Sequence, residues 1–548
     1  MDARLDRLVD DLLAFRWDHN PVQATAVGFH HHDHRLKDAD PAAIGEAHRG
    51  LQSFLETLRR LRAETPFPAG DDELDARLVE DHLEVEIRVR EEVRPEFRDP
   101  SHYLEEVLYG VYYLVQRDFA PLPERAASAA RRLGEVPRLL RQARANLTRP
   151  AEIPETWVRT ALEEAGGSQA FFRELDTGLV PRAGTAAGEL RHALAEASSA
   201  IDEYARFLED RVRPGARGIF AVGRELFEFL LGRQHGLEPD AAALRAFGEA
   251  QVREARAALD RAARALDPSR DWRQLVESWN ADHPTRETFV REYADEVHRA
   301  RDFVAERRLV SLPAGEVLHV VATPSFQRSL CPFAAYLPAG PFEANQEGFL
   351  WVTPPDPDAH HGRSDLHLRD HPRPSIAGTM VHEAYPGHHL QLSVANRHPS
   401  RVRRLFTTPV FVEGWAFYCE QMMAEEGFFH DPRSRVLQLK DQLWRACRVV
   451  IDVGLQTGTM GLEEAAVMLH QVARLGLESA RSEVLRYTRS PTQPMSYAVG
   501  KHEILRLRDD YRGRRGGAFR LQEFHDALLS FGSIPVSLLR ERLLAEAA

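Results

Sequence analysis

The sequence predicts a mainly α-helical protein that contains one small β-sheet. Through most of the first 310 residues, apolar side chains recur at spacings of three and four, the period of a helix with one buried face. Between Glu316 and Thr353 the pattern changes to short β-rich runs flanked by proline and glycine. Clusters of proline and glycine separate the helical segments without forming long flexible linkers. We therefore expect helices joined by short connections.

The predicted helices begin at the N-terminus, where Leu5, Leu8, Leu12 and Phe15 mark one apolar stripe. Comparable stripes cover residues 51–61, 74–89, 126–147, 190–212 and 241–266. Helical periodicity returns after the β-rich region, in residues 412–424, 436–453, 463–475 and 497–507. Helices with one apolar stripe bury that face against a core, so most of the chain should be helical.

Two runs rich in β-branched and aromatic residues predict strands at 317–321 and 349–353. They lie just ahead of the histidine-containing motif described below. An exposed strand edge beside a catalytic site would let an extended peptide join the sheet through main-chain hydrogen bonds. The sheet is therefore a candidate surface for binding a peptide.

Composition and charge argue against several classes of protein. The 548 residues carry a formal net charge of −12, and no dense basic run provides a footprint for nucleic acid. The first residues are mixed in charge and lack the pattern of a signal peptide, and no apolar run approaches the roughly 20 residues that span a bilayer. We expect a cytoplasmic protein without a nucleic-acid or membrane partner. The sequence leaves the oligomeric state open.

Residues 379–391 contain a near match to a zinc-hydrolase motif. In the usual H-E-x-x-H pattern two histidines one helical turn apart share a zinc ion, and the glutamate acts on water. Here His382 and Glu383 are followed by His388, six positions after the first histidine. In an unbroken helix that separation is about 9 Å along the axis, against about 6 Å for four positions. Pro386 and Gly387 can interrupt the helix, so that a looped or kinked turn returns His388 to His382.

Glu413 is the candidate third ligand, since a helix after the motif would present it at a suitable distance. Its alternative role is a carboxylate at a helix start, stabilised by the amide dipole. His389 competes with His388 as second ligand, and we prefer His388. Two histidines and one glutamate with an open fourth position form a catalytic zinc arrangement, which predicts one Zn²⁺ per chain.

Further polar residues have both a structural and a functional interpretation. We expect Glu420 to belong to a solvated helix face, with the alternative of accepting a hydrogen bond from a zinc ligand. Tyrosines of this kind usually pack, but one close to zinc could donate its hydroxyl to a developing oxyanion; the candidates are Tyr385, Tyr487 and Tyr497. Arginines could bind a substrate carboxylate or form helix-surface ion pairs; the candidates are Arg486, Arg506 and Arg508.

Several segments together resemble a bacterial family known as domain of unknown function 885. They are residues 21–28, the motif at 382–391, Glu413 to Ala416, 483–487, 491–501, Ile504, Leu507 with Arg508, and 524–526 with Gly532 and Pro535. The resemblance implies a two-lobed, mainly helical fold with a deep channel, similar to gluzincin-type zinc peptidases such as thimet oligopeptidase and angiotensin-converting enzyme. In those relatives a glutamate on the following helix is the third ligand, and Glu413 occupies the matching place. The histidine spacing departs from H-E-x-x-H.

The resulting prediction is a zinc metallopeptidase that hydrolyses small or unfolded peptides. We expect Glu383 to act as general base and Tyr497 to stabilise the oxyanion. The predicted substrate-binding residues are Arg486, Tyr487, Arg508 and Tyr385. A helical N-terminal lobe at 1–310 and a catalytic lobe at 311–548 would form one continuous unit.

Two alternatives to this prediction stay open. One is a zinc hydrolase of a non-peptide ester or amide, which would use the same metal and base. The other is a non-catalytic helical protein that binds a peptide or a metabolite. The sequence leaves open the preferred peptide sequence, the biological substrate, and whether cleavage is internal or terminal.

Overall fold

The computed structural model is mainly helical with one small sheet, which confirms the predicted class at this level. It describes residues 2–238, 240–328, 331, 333–355 and 361–546. Among the helices of these residues, none is both long and apolar enough to cross a bilayer.

Contacts within the chain define two compact units. The first comprises Met1–Val222 with two later segments, Pro324–Leu330 and Ala339–Gln346. The second comprises Gly223–Thr323, Cys331–Pro338 and Glu347–Ala548. The first boundary therefore follows Val222, whereas the sequence prediction placed a boundary after residue 310.

The first unit is helical, and helices cover each apolar stripe predicted within it, whereas the helices at 21–27, 95–98, 101–116 and 155–178 match no predicted stripe. The bounds of its α-helices are α1 (Ala3–His19), α2 (Pro21–Val27), α3 (Pro41–Glu64), α4 (Asp71–Glu92), α5 (Pro95–Arg98), α6 (Ser101–Gln116), α7 (Leu122–Asn146), α8 (Glu155–Gly178) and α9 (Ala187–Phe207). One later segment of this unit is held by Glu343, which pairs with His30 at 3.2 Å and with Arg117 at 3.5 Å. Glu343 is almost fully buried, so these ion pairs are shielded from water.

The second unit contains the remaining helices. Their bounds are α10 (Gly223–Arg233), α11 (Ala241–Leu266), α12 (Trp272–Trp279), α13 (Phe289–Arg307), α14 (His361–Arg369), α15 (Arg373–Glu383), α16 (His388–Ala395), α17 (Arg401–Leu405), α18 (Pro409–Glu425), α19 (Pro432–Gln456), α20 (Leu462–Ala473), α21 (Leu477–Tyr487), α22 (Ser496–Arg515), α23 (Leu521–Leu529) and α24 (Val536–Glu546). The candidate site residues on α15, α16, α18, α21 and α22 therefore all belong to this unit.

The sheet also belongs to the second unit and has three strands, β1 (Val317–Ala322), β2 (Ala334–Leu337) and β3 (Glu347–Val352). β3 is central and pairs in parallel with β1 and antiparallel with β2. Because β3 is buried on both faces, it reads as a continuous apolar run rather than an alternating one. The strands predicted at 317–321 and 349–353 are confirmed, whereas β2 was not predicted.

Local capping explains where the two long helices beside the candidate site begin. Thr408 precedes α18 and its side chain accepts a hydrogen bond from the Val410 amide, while Pro409 occupies the first turn. Asp431 caps α19 in the same way, followed by Pro432. A side-chain acceptor before the helix satisfies an otherwise unpaired amide, and proline in the first turn loses no helical hydrogen bond.

Helices α18 and α22 approach each other closely through two glycines. A Cβ atom on Gly500 would lie 1.8 Å from the Val410 carbonyl oxygen, and one on Gly414 would lie 2.5 Å from the backbone of Gly500. No side chain fits there, so glycine at both positions permits the contact. This contact places the start of α22, which carries Tyr497, beside Glu413 on α18.

We predict that Gly500→Ala lowers the free energy of unfolding by about 2 kcal/mol or more, because the added methyl group forces the two backbones apart. Gly513→Ala on the same helix is the matched control, since a Cβ there meets nothing within 4 Å. That control should raise stability by roughly 0.5–1 kcal/mol. Urea denaturation followed by circular dichroism measures both, and equal stability of the two variants would contradict the prediction.

Candidate metal centre

A break between α15 and α16 brings the two motif histidines together. α15 ends at Glu383 and α16 begins at His388, and the Gly387 amide donates to the Val381 carbonyl at 3.0 Å. A Cβ on Gly387 would lie 1.9 Å from the His382 carbonyl oxygen, so only glycine fits at this point of the turn. The rings of His382 and His388 consequently lie 4.7 Å apart, centroid to centroid, and perpendicular.

Trp415 on α18 ties this turn to the helix that carries Glu413. Its indole Nε1 donates to the Pro386 carbonyl at 2.8 Å, and its side chain is fully buried. Glu413, two residues earlier on α18, projects toward both histidines. Glu413 lies beyond the first turn of α18, so the alternative of a carboxylate at the helix start is wrong.

Three potential ligand atoms converge where the histidines meet Glu413. Glu413 Oε2 lies 3.2 Å from His388 Nε2 and 3.6 Å from His382 Nε2, and ligand atoms of the three residues all lie within 4.8 Å of one another. This buried oxygen lacks hydrogen-bond geometry to either ring. Ligand atoms about 2.0–2.1 Å from a tetrahedral zinc ion would be about 3.3 Å apart. The donor set and its spacing therefore fit a zinc ion.

Glu420 is buried, so the expectation that it belongs to a solvated face is wrong. It lies two helical turns after Glu413 on the same side of α18, and its Oε1 is 2.9 Å from His382 Nδ1. That hydrogen bond leaves His382 Nε2 directed at Glu413. Burial alone would lower the pKa of His382, but the neighbouring carboxylates of Glu413 and Glu420 raise that pKa to about 9. The site thus attracts positive charge.

His389, the alternative second ligand, is engaged elsewhere. Its Nε2 lies 3.0 Å from Glu316 Oε2 and its Nδ1 lies 3.0 Å from the Tyr336 hydroxyl. The Tyr385 hydroxyl also donates to Glu316 Oε2. The structure therefore brings His388, and not His389, to Glu413, and Tyr385 points its hydroxyl at Glu316.

Glu383, the predicted base, is the last residue of α15 and follows His382 directly. The residue is only partly exposed, and the burial of its carboxyl group raises its pKa above the ordinary value for glutamate. The neighbouring imidazoles of His382 and His388 oppose this shift. A carboxylate with a raised pKa is better matched to accepting a proton near neutral pH.

Tyr497, the predicted oxyanion donor, lies beside the three-residue cluster. Its ring stacks on His382 with centroids 5.9 Å apart, and Gln493 Nε2 donates both to its hydroxyl, at 3.3 Å, and to Glu413 Oε1, at 3.2 Å. Burial raises the pKa of Tyr497, so its hydroxyl stays protonated and able to donate. Sequence analysis missed Gln493, although its position four residues before Tyr497 is a usable signal.

The predicted substrate-binding arginines have different surroundings. Arg486 on α21 binds Glu483 at 2.9 Å and lies over the Tyr487 ring. Arg508 is bound to Glu425 at 2.9 Å and lies 3.4 Å from the Tyr418 hydroxyl, a contact that joins α22 to α18. Arg506 is exposed and pairs with Glu503 on its own helix. The charge of Arg486 acts on Tyr497.

Comparisons with known proteins place the chain among proteins of unknown function. No curated protein matches it. It is similar to a solved structure from Shewanella oneidensis described as a "putative lipoprotein of unknown function", with 25% identity, a TM-score of 0.77 and 99% of each chain covered. It also shares its fold with a "putative lipoprotein" from Colwellia psychrerythraea, with 16% identity, a TM-score of 0.84 and 100% of each chain covered. The model of the family "Bacterial protein of unknown function (DUF885)" matches residues 21–543, and the chain belongs to this family.

Proposed function

We propose that this protein is a zinc-dependent peptidase that acts on small or unfolded peptides. The observation that carries the proposal is the convergence of His382, His388 and Glu413, with the carboxylate of Glu383 directly after the first histidine. A set of two histidines and one glutamate leaves a fourth coordination position for water or substrate, which is typical of catalytic rather than structural zinc.

Each residue around the cluster has a defined task in this proposal. A bound zinc ion supplies Lewis acidity, which makes water more acidic and polarises a carbonyl group. Glu383 accepts a proton from the attacking water and passes it to the leaving amine. Tyr497 donates its hydroxyl proton as a hydrogen bond to the developing oxyanion, and Gln493 orients that hydroxyl. Glu420 keeps His382 in the tautomer whose Nε2 faces the metal.

The sheet offers a way for a peptide to bind beside this cluster. β2 is an edge strand in the three-stranded sheet, and its Tyr336 hydrogen-bonds His389, the neighbour of His388. An extended peptide added along such an edge gains main-chain hydrogen bonds that are largely independent of its sequence. This geometry supports a peptide substrate, as does the proposed likeness to gluzincin-type zinc peptidases.

We predict that the purified protein binds one zinc ion per chain and that Glu413→Ala abolishes this binding. Glu420→Gln should weaken zinc binding about 10–100-fold, because the hydrogen bond that orients His382 loses its charge. Glu425→Gln, on the same helix but exposed, should leave the affinity unchanged. Elemental analysis and competition with a chelator measure these values. Full zinc occupancy in Glu413→Ala would move the third ligand elsewhere.

We predict that Gly387→Ala removes zinc binding without changing any ligand. The methyl group would collide with the His382 carbonyl oxygen and displace His388. Gly378→Ala in α15 is the control, since a Cβ there meets nothing within 4 Å. Its zinc affinity, measured by titration calorimetry, should equal that of the wild type. Equal affinity in both variants would show that the turn does not position the histidines.

We predict that Glu383→Gln retains zinc but loses about 10²–10⁴-fold in kcat on quenched peptides, because the base is gone. Esters and acyl amides assayed alongside identify the bond that the enzyme prefers. Undiminished turnover with zinc bound would remove Glu383 from the role of base. A wild-type preference for esters would replace the peptidase proposal with the alternative hydrolase.

A further inference from the structure

Three arginines gather beside Tyr497, on the side of the site formed by α19 and α21. Arg445 and Arg448 lie three positions apart on α19, and Arg486 lies near the end of α21. The guanidinium carbon of Arg448 is 4.8 Å from the centre of the Tyr497 ring, and that of Arg445 is 5.9 Å away. Arg486 joins them through Tyr487, whose ring lies 5.1 Å from Arg486 and 5.5 Å from Arg448. We call Arg445, Arg448 and Arg486 the arginine cluster.

The arginine cluster lies close to the reacting groups. Tyr497, which contacts two of its members, stacks on the candidate ligand His382. The charge of Arg445 also acts on the carboxylate of Glu383. A ligand bound by these arginines would therefore lie next to the proposed base and the proposed oxyanion donor.

The arginine cluster has fewer ion-pair partners than guanidinium groups. Glu483 is shared between two members, at 2.9 Å from Arg486 and 3.2 Å from Arg448. Asp441, one turn before Arg445 on α19, lies 3.7 Å from it and is partly exposed. Two carboxylates of the described residues thus form ion pairs with the three guanidinium groups, and of these two Glu483 forms hydrogen bonds with them.

Several donors of the cluster have no acceptor. Nε and Nη1 of Arg445, and Nε of Arg448, are buried without a hydrogen-bond partner among the described residues. The Arg448 side chain is only 5% exposed. Leaving a charged donor buried and unpaired costs more than leaving a neutral one, so these groups are suited to an anionic ligand that supplies the missing acceptors.

We propose that the arginine cluster binds the C-terminal carboxylate of the peptide substrate, which makes the enzyme an exopeptidase acting from the C-terminus. This inference rests on the proposed peptidase function. A carboxylate is planar and accepts two parallel hydrogen bonds from a guanidinium group, whereas an α-ammonium group would be repelled by the guanidinium groups. Because an extended residue spans about 3.5 Å, the number of residues released from the C-terminus gives the distance between the arginine cluster and the cleaved bond.

The test compares matched peptides that end in a free acid or in an amide. In the wild type, kcat/KM for the free acid should exceed that for the amide at least 100-fold. Arg445→Gln should reduce this ratio to about three or less, because it raises KM for the free-acid peptide alone. Arg445→Lys should restore part of the ratio. Arg506→Gln, which removes an exposed arginine of α22, should leave the ratio unchanged. Mass spectrometry of the products gives the number of residues released.

A binding measurement separates this inference from the proposed function. Titration calorimetry is carried out on the zinc-loaded Glu383→Gln variant with the same two peptides. The free-acid peptide should bind at least tenfold more tightly than the amide. The double variant Glu383→Gln/Arg445→Gln should bind both peptides equally. If the free-acid and amide peptides are hydrolysed at equal rates and bound equally tightly, the arginine cluster does not bind the C-terminal carboxylate, although the protein is still a peptidase. Tighter binding of the acid without hydrolysis by the wild type would overturn the peptidase and retain the carboxylate site. A peptide amide that carries an internal aspartate could bind and react as well as the free-acid peptide. That result would show that the cluster binds acidic side chains and would overturn the exopeptidase.

Discussion

The candidate site depends on one close approach of backbone to backbone, where Gly387 packs against the carbonyl groups of residues 381 and 382. In a continuous helix, His382 and His388 would be about 9 Å apart along the axis. The turn after Glu383 cancels that rise and starts a second helix at His388. The hydrogen bond from Trp415 to Pro386 then fixes the turn against α18. Because the helix is interrupted at this point, an unusual histidine spacing still brings His382, His388 and Glu413 together as a candidate ligand set.

Helix α18 supplies the negative charge beside the two histidines. Glu413 and Glu420 are seven residues apart, two helical turns, so both face His382. Two carboxylates buried against one imidazole are costly unless a cation or a proton is shared among them. That cost explains why the pKa of His382 is raised although burial opposes it. The glycine contact between α18 and α22 brings Tyr497 and Gln493 to the same place, so the polar groups are positioned by backbone packing.

The sequence allowed the mainly helical class, many of the helices, two of the three strands and the ligand candidates to be predicted, because each leaves a local pattern. β2 has only four residues and no strong β-rich pattern, so it was not predicted. Glu420 was assigned to solvent because a glutamate is rarely buried without a partner, and its partner His382 is 38 positions away. Arg445 and Arg448 were overlooked for a similar reason. They interrupt a buried stripe of α19, a local signal, but the tyrosines that they contact come from α21 and α22.

Carboxylates and arginines lie on different sides of Tyr497, and this arrangement would favour one orientation of a bound peptide. Toward His382 lie Glu413 and Glu420, carboxylates that favour a cation. Toward α19 and α21 lie three arginines, and some of their buried donors lack a hydrogen-bond partner in the part of the chain that the structure describes, which favours an anion. A peptide with its scissile carbonyl at the cation and its carboxylate at the arginines satisfies both sides at once, whereas the reversed peptide would bury its ammonium group among guanidinium groups. Tyr497 contacts both sides, with its ring against His382 and against two of the arginines. Under the proposed function, its hydroxyl would stabilise charge at the reacting carbonyl while the arginines hold the terminus of the same peptide.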